Sequence, residues 1–249
     1  MEAANRSARG SAWFYLGQPE QALQDAMQAV VSSRRIGNHR AEVFSRLTAA
    51  WVLLASGEEG TAQQELSEAL ELASSLGANR FEAILLEGLA RAALSRGESR
   101  GEREHAQTLI MAAVERVERF DLQRYIGPWI YGSQALLLDD KTLKHQALQR
   151  GEVLLGQACL AHNTLRFRVS AAEVCLLAGD FESAIAHGPE SVSCAWVRHH
   201  VRLIDAAEQW LRTADPASAQ ALRAIRRDGE PLGFVATMPL LSSHLDASA

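Results

Sequence analysis

Cysteine is scarce here, no apolar run is long, and Lys and Arg are nowhere concentrated; each shortage removes a class of protein. The three cysteines, Cys159, Cys175 and Cys194, are an odd number set far apart. That fits neither a disulfide framework nor a zinc site, which needs closely spaced Cys or His pairs. Buried free thiols in a reducing cytosol are the simpler expectation. The longest uninterrupted apolar run, "AAWVLLA" at 49–55, is far short of the roughly 20 residues that cross a bilayer. Net charge is −5 with both signs interspersed. The densest basic run, "RAIRRD" at 223–228, reads as a solvated helix face, not a nucleic-acid groove. "MEAANRSARG" has no basic segment followed by an apolar one, so no signal peptide is expected, and the glycosylation-like triplet at Asn5 has no compartment in which to matter. The expectation is a soluble cytoplasmic chain without a nucleic-acid or membrane partner.

Chemistry is also thin. There is no glycine-rich phosphate loop of either common type. His199 and His200 are adjacent, so on a helix they project about 100° apart and cannot clamp one ion. No histidine lies four residues from either. Asn163 is expected to cap the helix that follows it, with His162 bonding a carbonyl. Asp139 and Asp140 read as capping acids at a helix boundary. Ser170 and Ser193 have no elbow motif and no evident base. The reading is of no enzyme, no catalytic residue, no cofactor and no metal.

What is present is helical period. In "QALQDAMQAVV", Ala22, Leu23, Ala26, Ala29 and Val30 share one helical face. No segment alternates with period two over the length of a strand. Breaks fall where a glycine precedes a capping residue: Gly37 with Asn38, Gly77 near Asn79, Gly179 with Asp180. Asp215 precedes Pro216 in the same role. Asn79 and Glu82 approximate a capping box. The predicted fold class is all-α.

The helices recur. Gly17, Gly57 and Gly97 lie forty residues apart, and seven before each sits a small residue: Gly10, Ala50 and Ala90. Ala22 and Ala29, then Ala62 and Ala69, follow the first two; Ala106 and Ala113 keep the spacing after a short insertion in the third unit, and Ala172, Gly179 and Ala184 repeat it. Small residues at such offsets let two helices cross closely, and the glycine closes the first helix in a left-handed cap. One hairpin cannot bury its apolar face alone, but a stack can.

This pattern resembles the tetratricopeptide repeat, with a period nearer forty than thirty-four. It is similar to the repeat arrays of large bacterial signalling proteins that carry cyclase or ATPase domains. The segments "GEVLLGQACLAHNTLRF", "EVCLLAGDFESA" and "RDGEPLGFVATMPLL" carry the likeness to the cyclase-linked group. The resemblance implies a single α-solenoid over 1–249, an array of antiparallel helix pairs. Its units would be roughly 1–37, 38–77, 78–121, 122–162, 163–190 and 191–228, with a tail at 229–249. The fourth unit lacks its turn glycine, and Ser191 stands where the fifth would carry an alanine. The implied function is a non-enzymatic interaction or regulatory module for a protein or peptide partner; the alternative is a small-ligand sensor of an ATPase-type transcriptional regulator. Concave first-helix positions, Trp51, Glu87, Arg91, Arg166 and Glu173, would line the groove. The five tryptophans read mainly as inter-helix filling. The run "AWFYL" at 12–16 covers more than one side of a helix, which predicts either a longer solenoid or self-association through the N-terminal edge.

Overall fold

A computed structural model describes residues 2–95, 99–157, 159–188 and 194–247; Gly97, Ser191 and Ser193 lie outside them. Among the described residues the chain is helical, with turns and short connections and no strand. It divides into two compact units, Met1–Leu122 and Gln123–Ala249.

The first unit contains α1 (Glu2–Tyr15), α2 (Pro19–Arg35), α3 (His39–Ala55), α4 (Glu59–Ser75), α5 (Asn79–Ser95) and α6 (Arg100–Arg119). Each packs on the next, and α1, α3 and α5 also touch in succession. α3 therefore has neighbours on several sides, which is why "AAWVLLA" is buried almost all round. Hydroxyls stitch α1 to α3: Ser7 meets Ser45 at 2.5 Å and Ser11 meets Thr48 at 3.2 Å. The alanines of the spacing pattern are closed off completely, with Ala22, Ala29, Ala50, Ala62, Ala69, Ala90, Ala106 and Ala113 all at 0% exposure. At Gly10 even a methyl would crowd the Ala22 carbonyl at 3.1 Å. Small side chains here set the distance between helices.

The connections follow backbone chemistry. Gly17, Gly37, Gly57 and Gly77 all have positive φ, from 60° to 81°. At Gly37 and Gly77 an added side chain would meet nothing within 4 Å, so it is the left-handed conformation that selects glycine there. Asn38 caps α3 by accepting from the Ala41 N–H. The capping box at Asn79 does not form as read. Asn79 is already the first residue of α5, and Glu82 turns to an ion pair with Arg116 of α6.

The second unit contains α7 (Gln123–Leu137), α8 (Lys141–Leu155), α9 (Ala161–Ala178), α10 (Phe181–Ala186), α11 (Ala195–Thr213) and α12 (Pro216–Gly229). A 3₁₀ turn, Glu230–Leu232, and α13 (Pro239–Ala247) follow. α7 packs on α8 and α9, and α11 on α9, α10 and α12. Phe167 of α9, at 0% exposure, fills the space left by Gly132 and Gly151, where a methyl would strike its ring. Asp140, Asp180 and Asp215 cap α8, α10 and α12 as expected. The segment read as a tail is built into the core: Phe234, Met238, Leu241 and Leu245 are each under 5% exposed.

Candidate functional site

In the first unit, α3 carries Trp51 and α5 carries Glu87 and Arg91, and those two helices are in contact. Trp51 keeps only 7% of its surface, and Glu87 only 1%. One turn on, Arg91 donates to Glu87 in an i,i+4 pair, with its own side chain 23% exposed. A buried carboxylate must be paired or it would shed its charge. The pair therefore serves the fold as well as any surface, and Arg91 is the more accessible of the three.

The same unit holds a larger ionic group, which the sequence reading passed over. Arg46 of α3, 4% exposed, donates to Glu42 (3.4 Å), to Glu65 (2.5 Å) and, through Nη2, to Glu68 (2.7 Å). Arg34 of α2 reaches Glu42 at 3.1 Å. The Arg46 guanidinium, whose planar fork suits several carboxylates at once, thus joins α3 to α4, and Arg34 brings in α2 through Glu42. A related pair sits one hairpin earlier. Arg6 lies 3.9 Å from Asp25, and Arg9 bonds both oxygens of that carboxylate at 2.5 Å. The Arg9 guanidinium holds Asp25 below the usual carboxylate range, against the opposing effect of burial.

In the second unit, Arg166 and Glu173 lie seven residues apart on α9, so they share a face. Arg166 is half-buried with its guanidinium 4.5 Å from the Trp129 ring centre, a cation–π arrangement. Glu173 is 1% exposed, and its Oε1 accepts the Leu241 N–H at 3.0 Å. Leu241 is the third residue of α13, among the N–H groups a helix cannot satisfy internally. Glu173 therefore caps a helix 68 residues away. The structure brings Glu87 together with Arg91, while Arg166 and Glu173 each engage a different helix.

Asn163 does not cap as expected. α9 begins at Ala161 behind Leu160, which makes no side-chain cap. Asn163, at 0% exposure, donates its amide to the Tyr125 carbonyl of α7 instead, because α7 and α9 are in contact and the bond joins their first turns. His162 packs edge-on to Trp129 at 6.3 Å. His200 Nδ1 lies 2.7 Å from the Trp196 carbonyl. His199 is 3% exposed, its ring 5.5 Å from that of Phe234 and against Gly229. Burial, with Arg202 adding, brings His199 down to about 4. All three cysteines are free, and burial pushes the Cys175 thiol up to about 11. Among the described residues no group of three or more His, Cys, Asp or Glu is placed to hold a metal ion, and no helix is long and apolar enough to cross a membrane.

The sequence matches no protein-family model and no curated protein.

Proposed function

We propose that the chain is a tetratricopeptide-like α-solenoid array of antiparallel helix pairs with a period near 40 residues. In this reading it is a non-enzymatic, cytoplasmic interaction module, part of or partner to a bacterial signalling protein with cyclase or ATPase domains. The observation that carries the repeat reading is a recurring ion pair. Arg6 with Asp25, and Arg46 with Glu65, occupy the same places in successive hairpins, forty positions apart at both ends. Helix starts support it too: Pro19 and Glu59 open α2 and α4, His39 and Asn79 open α3 and α5. Unrelated hairpins have no reason to share both the turn glycine and an acid–base pair at the same positions.

A docking role draws support from the outer side of α2. Met27 and Val31, one turn apart, are 37% and 67% exposed, and Ile36 just beyond is 61% exposed. Apolar anchors spaced by one turn suit an amphipathic helix from a partner. The test is isothermal titration of the chain with separately produced bacterial cyclase and ATPase domains of the kind its resemblance implies, using wild type, Val31→Glu and Arg91→Glu. Saturable binding that Val31→Glu weakens by about tenfold or more, with melting unchanged, supports docking on α2. Because Arg91 also holds the buried Glu87, weakening by Arg91→Glu points to the α3 and α5 residues only where melting is likewise unchanged. No binding by any domain overturns this reading.

A further inference from the structure

The turn between α11 and α12, together with α13, lines an open cleft of about 590 Å³, within the size range of small-molecule sites. Trp210 of α11 forms one wall, and His244 of α13 meets it edge-on with ring centres 5.7 Å apart and planes at 61°. Asp215, Ala219 and Arg223 follow at intervals of four along α12, so one face of that helix forms the opposite wall. Ala219 leaves the floor open where a larger side chain would fill it.

The charges in the cleft differ in what already holds them. Asp215 is committed to its helix: Oδ1 accepts the N–H groups of Ala217 and Ser218, each at 2.9 Å, and Oδ2 accepts the Thr213 hydroxyl at 2.5 Å. Arg226, next along α12, is matched by Asp246 at 3.0 Å. Arg223 is half-buried in the cleft wall and has no hydrogen-bond or ion-pair partner among the described residues. The Trp210 indole N–H likewise has no protein acceptor among them. An uncommitted guanidinium beside aromatic and small apolar walls is complementary to a flat apolar body bearing one anionic group. A carboxylate matches the planar fork of arginine in geometry as well as charge.

We propose that this cleft is a binding site for a small aromatic carboxylic acid, its ring against Trp210 and Ala219 and its carboxylate on Arg223. The site belongs to the second unit and is independent of the docking reading, whose apolar strip lies on α2. The test uses the full chain and two probes, 3-phenylpropanoate and indole-3-acetate, followed through the Trp210 indole N–H resonance, which is assigned with Trp210→Phe. A saturable shift at or below about 10 mM is expected with at least one acid. Its affinity should fall about tenfold or more in Arg223→Gln. The uncharged 3-phenylpropan-1-ol should lose a similar factor on wild type, so the charge requirement is read even without a variant. Arg227→Gln, which removes an exposed cation elsewhere on the same helix, should bind as wild type does. No saturable shift with either acid, equal binding of acid and alcohol, or equal binding by wild type and Arg223→Gln would each overturn the proposal. Equal weakening by Arg227→Gln would reduce it to general attraction and overturn it too.

Discussion

Replacing Glu173 by alanine removes a carboxylate from a place where it is 1% exposed and receives a backbone N–H at 3.0 Å. Hydrogen bonds to charged groups contribute about 1.5–3 kcal/mol, and losing an acceptor leaves the buried donor to be desolvated without return. An anion at a helix N-terminus contributes roughly 0.3–2 kcal/mol, which overlaps that figure and does not add to it in full. A loss of about 2–3 kcal/mol follows, or roughly 4–12 °C in melting temperature at about 2–4 °C per kcal/mol for a chain of this size. The effect should be local in hydrogen exchange. The Leu241 amide should lose its protection first, along with the rest of α13, while α1–α6 stay as they were. Glu173→Gln keeps an acceptor oxygen and should recover part of the loss. If Glu173→Ala melts within about 1 °C of wild type and Leu241 remains protected, the capping role is refuted.

Ala62→Leu should destabilise by about 1–3 kcal/mol in urea unfolding, because Ala62 is fully closed off and the added carbons must push α4 away from its neighbours; a neutral result would remove the packing basis of the alanine spacing. His199 predicts a pH dependence. Its folded value of about 4 lies below the ordinary 6.5, so the unfolded chain takes up the proton first. Its contribution is complete above about pH 6.5 and declines as pH falls toward 4. His199→Phe should flatten that part of the curve, and parallel wild-type and variant curves between pH 7 and pH 4.5 would refute the assignment.

Features decided within a few residues were legible from sequence. Helix period, the glycine turns at 17, 37, 57, 77 and 179, and the caps at Asn38, Asp140, Asp180 and Asp215 depend on local backbone chemistry. What was not legible depends on distant partners. Glu82 and Asn163 carry local capping signals, but Arg116 and the Tyr125 carbonyl compete for them across helix pairs. Glu87, Arg91 and Glu173 have polar character that suggests a solvated groove; nothing near them in sequence says that the carboxylates are buried, or that Glu173 serves a helix 68 residues on. The tail at 229–249 is rich in Gly and Pro, which conceals that Phe234 and Leu245 are core residues. One further signal was available. Arg6 and Arg46, with Asp25 and Glu65, repeat at the same spacing as the glycines, and pairing acids with bases across that period would have found the ionic group.

The turns at Gly37 and Gly77 have a consequence for chirality. Their φ angles are +67° and +60°, and both residues are exposed. A mirror-image amino acid prefers that sign of φ for the same steric reason that an ordinary one avoids it. D-alanine installed at either site by chemical ligation should therefore keep the native turn while narrowing the choices of the unfolded chain. It should stabilise by about 0.4–1 kcal/mol where L-alanine destabilises. At these two points the protein has a handedness opposite to that of its building blocks, and glycine is the genetically encoded residue that meets the requirement without steric strain.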